Sequence, residues 1–481
     1  MSTELSRRQF LAGLGITGAG IALAACAPPA PAVEEKPKEE AKPEAPPPKP
    51  AAEQVEVRYM GWWGAFNTQI LPQIAEDFKD VMPNVTIKLE EVGYGETEQK
   101  YPTTLVAGTA ADILYHMNFM SKFYDEGLIL DLTPRYDVDG IDFQKDFYHG
   151  LGINEWGGKL YGFPHMFESC IMLYNVDMVK EYWGKDLWEA FPDGNWDISD
   201  MIQVAKACTQ DLDGDGKTDQ WGLYIYHRSY YYGYETQSWT RGDNIFDIQN
   251  MKYNFTSDIV RQISHDLFDW VRKDGFVISQ EDYSEVTKAA AVSFPFLAGK
   301  VAMRIRMSPD VGRALKAAPE FNWDLFYLPN SGSNQAVTRA GGHGNNVYAR
   351  TKVPDEAWEV VKFMGMSPGQ KYLADTRNSL PVYRKDSSLR ETFLRGEPPH
   401  DDVLFGVLEN KGGYGDHMRF HNESECLNLF QNKLDLLYNE PYEEAASKLD
   451  QYMADVEKEM NAIVDYGDEL PFKGVQFPFK V

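Results

Sequence analysis

The chain has 481 residues and a formal net charge of −26. That length exceeds what one hydrophobic core usually serves, so two lobes or domains are expected. The charge excludes nucleic acid as a partner, because phosphate binding needs a basic surface, and it fits a soluble exported protein. The four cysteines include no Cys-x-x-Cys and no haem-attachment motif, which excludes a disulfide framework or a thiolate-held redox cofactor.

The first 25 residues read as a removable export signal. Arg7 and Arg8 precede an apolar run over 11–25 that is too short to span a membrane as a mature helix. Ser6-Arg7-Arg8-Gln9-Phe10-Leu11 resembles a twin-arginine signal, and Leu23-Ala24-Ala25-Cys26 resembles a bacterial lipoprotein box. That second resemblance implies cleavage before Cys26 and lipid on its sulfur, an anchor strengthened by about 0.8 kcal/mol per buried CH₂. Residues 27–52 are almost entirely Pro, Ala, Glu and Lys, a composition that cannot bury enough apolar surface to fold. Extended at about 3.1 Å per residue, such a tether reaches roughly 80 Å. The segments are therefore a signal over 1–25, a lipidated cysteine and linker over 26–53, and a globular body beyond.

The body opens with strand and helix in alternation. Residues 55–60 alternate as a strand, and Gly61-Trp62-Trp63-Gly64 ends it. Apolar residues at helical spacing follow over 70–82, stopped by Pro83-Asn84. Strands over 85–89 and 112–115 flank a second helix, so this part is an α/β unit with a largely parallel sheet. Ligands in such sheets sit beyond the carboxyl ends of strands, where Trp62 and Trp63 stand. Further strands are expected over 159–164, 170–174 and 300–306, with helices over 259–273 and 357–364. One or two long helices follow over 424–464, interrupted near Asn439-Glu440-Pro441. Cys170, Cys208 and Cys426 are expected as buried thiols.

An acidic loop interrupts the body. Asp211, Asp213, Asp215 and Asp219 occupy loop positions 1, 3, 5 and 9, with Gly216 at 6 and Lys217 at 7 offering its backbone carbonyl. Calcium takes about six to eight oxygens, and this spacing curls carboxylates around one point. Gly222 stands where an EF-hand has its twelfth-position glutamate. A structural Ca²⁺ is expected, and a solvated Asp/Gly turn is the alternative.

The ordered segments resemble the extracellular solute-binding proteins of bacterial ABC importers, in particular the sugar-binding group. The pieces are Trp62-Trp63-Gly64, the Phe78 to Val85 stop, Ala107-Gly108-Thr109-Ala110-Ala111-Asp112-Ile113, and Gly127-Leu128-Ile129-Leu130-Asp131-Leu132-Thr133. Gly158-Lys159-Leu160-Tyr161-Gly162-Phe163-Pro164 with Leu173-Tyr174-Asn175, Phe296-x-x-Gly299-Lys300-x-Ala302-Met303, and Gly341-Gly342 complete the set. The chain departs from that pattern at Ala111, at Arg304 to Pro309 and at Gly344-Asn345-Asn346, all near the expected cleft.

The resemblance implies an α/β fold of two lobes closing like a clamshell. Lobe one would be 54–168 plus 340–380, and lobe two 169–339 plus 381–481, with crossings near 167–170, 337–342 and 380–383. It implies a monomer that binds a saccharide without turning it over and delivers it to an ABC permease from a periplasmic or cell-surface membrane anchor. Sugars present flat C–H faces and a rim of hydroxyls, so aromatic platforms and polar acceptors are needed. Trp62 or Trp63, Tyr231 in Tyr230-Tyr231-Tyr232, and Trp239 are the stacking candidates. Asp112 and Glu168 are candidate hydroxyl acceptors by the resemblance, with Gly342 and Asn345 beside the cleft. Arg306 and His343 would suit an anionic ligand. Two rivals remain: an exported glycoside hydrolase with carboxyls about 5–9.5 Å apart, and an ABC binding protein for a non-sugar ligand.

Overall fold

A computed structural model describes residues 53–62, 70–148, 154–247, 250–330, 338–409, 414–415 and 420–465. The signal segment, Cys26, the linker and Trp63 lie outside the described residues. Residues 52–481 form one compact unit.

Strand β1 (Val55–Gly61) turns Val57 and Tyr59 inward. Helix α1 (Ile70–Asp77) covers it with Ile70, Leu71 and Ile74, and β2 (Val85–Glu91) pairs with β1 in parallel, Val57 opposite Ile87. Helix α2 (Tyr94–Ala107) ends at Gly108 in the left-handed region, φ 76°, and leads to β3 (Ile113–Tyr115), also parallel to β1. This repeats the expected α/β alternation.

The two strands expected over 159–164 and 170–174 are instead largely one strand, β4 (Gly162–Asn175), of 14 residues. Its near-continuous burial explains the absence of an alternating pattern, since both faces are covered. Helix α3 (Ile198–Cys208) carries a capping box from Asp197 and Asp200 and packs on β5 (Trp221–Tyr224). Helix α4 (Asp258–Arg272) is capped by Ser257 and buries Val260, Ile263, Leu267 and Phe268. Then come β6 (Val301–Met307), α5 (Pro309–Ala317), β7 (Trp323–Phe326), β8 (Thr338–Val347) and α6 (Pro354–Gly365), closed by α7 (Glu423–Tyr438) and α8 (Tyr442–Ile463). The break between α7 and α8 falls at Pro441, as expected.

The main sheet runs β2-β1-β3-β8-β4-β6-β5, with β7 on β4. Its outer pairs are parallel, but β8 is antiparallel to β3 and β4, and β6 is antiparallel to β4. The first half of β4 pairs with β8, and its second half with β6 and β7. Two large hydrophobic clusters pack on the sheet, and the second half of β4 feeds both, Ile171 and Leu173 the first and Cys170, Met172 and Tyr174 the second. Segment 381–408 places Val382, Leu389, Phe393, Val403 and Phe405 in the first cluster, which also holds Leu325 and Tyr327. Bridges Phe167 to Leu380 and Phe147 to Tyr383 hold it there. Helices α7 and α8 join the second cluster. Cys170, Cys208 and Cys426 are buried and free. Among the described residues, no helix is long and apolar enough to cross a membrane.

Candidate functional site

Three strands of the sheet interior are buried along nearly their whole length, and the exceptions converge. In β4 the sole residue that is only partly buried is Glu168, and in β6 it is Arg306; in β8 they are Gly341 and His343. Gly341 pairs with Glu168, and Arg306 with Ile171, so these strands run side by side. The opening between them is a cleft of about 440 Å³, within the usual range for a small-molecule site. It lies beyond the carboxyl ends of β1 and β6, where open α/β sheets bind ligands. Trp62 and Tyr94 line one side, Tyr226, Tyr231 and Tyr232 another, and Arg306, Asp310, Arg313, Arg339, Glu168 and His343 supply charge and polarity.

The aromatic walls are fixed by their own packing. Trp62 meets Tyr94 edge-on, with centroids 5.3 Å apart, and His343 stacks on Tyr115 at 5.4 Å. The segment Tyr230–Glu235 is a wide π-type helical turn capped by Ser229 and continuing into Thr236–Thr240. That turn presents Tyr231 and Tyr232 to the cleft, and Tyr231 donates its hydroxyl hydrogen to Glu423.

A layer of guanidinium groups lies on these rings. Arg306 sits 4.1 Å from the Tyr232 centroid and 5.6 Å from Tyr226, and Arg339 sits 4.5 Å from Tyr231. Behind them Arg304 is buried between Tyr224 and Phe294 and pairs with Asp310 at 2.7 Å. Asp310 also accepts from Arg313 at 2.7 Å. Burial alone would raise the Asp310 carboxyl, but Arg304, Arg313 and Arg306 outweigh it and hold the group below its ordinary range. Glu168 goes the other way. Its burial outweighs the pull of Arg339, Arg306 and Arg313 and pushes the carboxyl up to about 7.

Five sequence candidates thus meet in one cleft: Trp62, Glu168, Tyr231, Arg306 and His343. The others need correction or relocation. Asp112, expected as a hydroxyl acceptor, lies at the amino end of β3 rather than the carboxyl end. It accepts from the Arg58 backbone N–H at 2.8 Å and from the Thr351 hydroxyl at 2.5 Å, a structural clamp. Asn345 is fully buried and accepts from the Tyr59 hydroxyl at 2.9 Å, so it serves the core. Trp239, expected to close over ligand, is 1 % exposed within Thr236–Thr240 and does not line the cleft. Gly342 pairs with Phe167 beside the cleft without lining it. The unusual Gly344-Asn345-Asn346 run has a packing reason. A Cβ on Gly344 would stand 1.7 Å from Asn154 Oδ1, and Asn346 donates to the Tyr161 carbonyl at 2.8 Å.

Tyr94, Asp310, Arg313 and Arg339 were not legible as site residues. The available signal was Arg304 and Arg306 on one strand, followed one turn later by Asp310 and Arg313 at helical spacing.

The acidic loop stands elsewhere, between α3 and β5. Carboxylate oxygens of Asp211, Asp213 and Asp215 lie within 4.8 Å of one another at the surface. Asp211 accepts from the Gly214 and Gly216 amides at 2.7 and 2.9 Å, and Asp219 accepts from Leu212 at 2.8 Å. The Lys217 ammonium is 4.0 Å from Asp215. This curl, with hard oxygen donors facing one point, fits calcium chemistry. Gly222 cannot carry the missing glutamate, because a Cβ there would meet the Ala205 carbonyl at 1.8 Å.

Known proteins resemble this chain along most of its length. Residues 73–394 match the model of the bacterial extracellular solute-binding protein family. A curated binding protein of Brucella abortus is 21% identical over 333 residues, 66% of this chain and 73% of the relative. The ABC substrate-binding protein of Listeria monocytogenes, solved in complex with cycloalternan, has a TM-score of 0.69 at 17% identity, covering 85% of this chain and 99% of that one. The maltose/maltodextrin-binding domain of Bdellovibrio bacteriovorus, solved bound to maltotriose, has a TM-score of 0.63 at 17% identity, covering 83% and 99%.

Proposed function

This chain belongs to the bacterial extracellular solute-binding proteins, and from that premise we propose that it binds a saccharide and delivers it to an ABC import permease. The family is one of extracytoplasmic binding proteins rather than enzymes. The observation that carries the saccharide reading is the cleft itself. Aromatic faces at Trp62, Tyr94, Tyr231 and Tyr232 surround a few polar groups over the strands that join the two cores. Stacking platforms with hydrogen-bonding rims suit sugar rings. The similarity to chains solved with cycloalternan and maltotriose supports it. Ligand touching both lobes would favour a closed state by its differential affinity. Calorimetry against an oligosaccharide panel is expected to give binding heat with no time-dependent cleavage, and solution scattering a smaller radius of gyration on binding. Cleavage of a bound sugar would favour the hydrolase, and a silent panel would remove the saccharide reading.

The same reading includes a lipid anchor at Cys26. Cys26→Ser is expected to move the protein from the membrane fraction to the soluble fraction or to block its processing. Unchanged fractionation would refute the anchor. The monomeric state is part of the proposal, since one chain supplies every wall of the cleft.

We further assign the 211–219 loop to one structural Ca²⁺. Asp211, Asp213 and Asp215 would hold it, with Lys217 contributing its carbonyl and Asp219 the loop geometry. Binding to the folded state alone stabilises by mass action, about 2.7 kcal/mol at 100-fold over Kd. A strong chelator is expected to lower the melting temperature of the wild type and leave Asp213→Ala/Asp215→Ala unmoved. Metal-free protein by elemental analysis, with no chelator effect, would leave a solvated turn.

A further inference from the structure

The charge of the cleft contradicts the charge of the chain. The protein carries −26, yet Arg306, Arg313 and Arg339 line one cavity of about 440 Å³, against Glu168 and Asp310. Two of the three cations face carboxylates: Arg313 meets Asp310 at 2.7 Å, and Arg339 lies 3.7 Å from Glu235. Arg306 is different. Among the described residues it forms no ion pair, and its buried Nη1 has no hydrogen-bond partner. The rings of Tyr232 and Tyr226 cover its π face, which leaves in-plane N–H donors unanswered. Gathering cations around an enclosed space costs free energy, through both desolvation and mutual repulsion. A neutral hexose can accept hydrogen bonds from Arg306 but brings no charge to offset the repulsion. A planar carboxylate does, because it matches the guanidinium fork with two parallel hydrogen bonds.

We infer that the cleft takes an acidic saccharide, a uronide whose ring lies against the aromatic walls and whose carboxylate is held by Arg306 with Arg339 and Arg313 near it. This rests on the solute-binding reading above and narrows its substrate class. A ligand carboxylate reduces the cationic excess of the lining, three arginines against Asp310 and the raised Glu168. Glu168 faces the same space, together with Arg339 and His343 of β8, Arg306 of β6, and Asp310 and Arg313 of α5. With its carboxyl pushed up to about 7, Glu168 is about half protonated at neutral pH, which weakens its opposing charge, and its protonated form can donate a hydrogen bond.

The test is calorimetry with matched probes: di- and trisaccharides of galacturonate, glucuronate and mannuronate, and the same sugars with each carboxyl reduced to a hydroxymethyl group. At least one uronide should bind, and its reduced counterpart should bind about 10- to 100-fold more weakly, as expected for losing charge-assisted hydrogen bonds. Arg306→Gln should bring the pair to within a few-fold of each other, whereas Arg306→Lys, which keeps charge but loses the fork, should fall between. Thermal melts of both variants report folding, and Arg339→Gln is a second probe should Arg306→Gln fold poorly. A neutral sugar that binds as tightly as its uronide overturns the acidic-ligand inference and leaves the solute-binding reading intact. Silence from both series overturns the saccharide reading as well.

Discussion

Asp310→Ala is expected to destabilise the protein by about 3–5 kcal/mol, the cost of stranding a buried charge. The Asp310 and Arg304 side chains are each 3 % exposed, and Asp310 accepts from Arg304 through Nε at 2.8 Å and Nη2 at 2.7 Å. Removing the carboxylate leaves Arg304 between Tyr224 and Phe294 with no counterion in reach among the described residues. The neighbouring Arg306 then loses part of the negative field that Asp310 supplies. Replacing both partners, Arg304→Met with Asp310→Leu, should recover much of the loss, because no deeply buried charge is then stranded and Arg313, which also loses Asp310, is 43 % exposed to solvent. Urea denaturation of the three proteins checks this. Equal stability of wild type and Asp310→Ala would show that the pair carries no structural weight.

Glu168→Gln is expected to stabilise the protein at high pH and not at low pH. The carboxyl is raised from its ordinary value of 4.5 to about 7 because burial disfavours its charge. A raised carboxylate favours the protonated form in the folded state. Its stabilising share is therefore complete below about pH 4.5 and is lost as pH climbs through 7. Above pH 8 the shift corresponds to roughly 3 kcal/mol of lost stability, which a neutral glutamine does not incur. The difference between variant and wild type should thus grow from near zero at pH 4.5 to its full size at pH 8. A flat difference would place Glu168 in a solvated setting. Such a cost at a cleft residue is what a binding site retains against the interest of the fold.

Much of the scaffold was readable in the chain order. The first three strands, helices α1, α4 and α6, and the break at Pro441 all rest on local signals: apolar periodicity, capping residues and proline. Trp62 and Arg306 stand at or next to the ends of β1 and β6, and Glu168 stands in the middle of β4, yet all three were named from the ordered motifs and meet in the cleft. These features depend on neighbours within one element, which a sequence records directly.

What only the tertiary structure decided depends on residues far apart in the chain. Strand β4 is one continuous element because β8, β6 and β7 cover it along its length, and no local pattern announces such covering. Asp112 became a clamp because Arg58 and Thr351 reach it, and Asn345 became core because Tyr59 does. Trp239 is buried within the helical turn that continues the tyrosine-rich segment. The arginine layer was the largest surprise. Arg306, Arg313 and Arg339 come from a strand, a helix and a distant crossing strand, so their shared field exists only in three dimensions. A chain's net charge sums over every residue, whereas a ligand meets the few charges that the fold brings to one cavity.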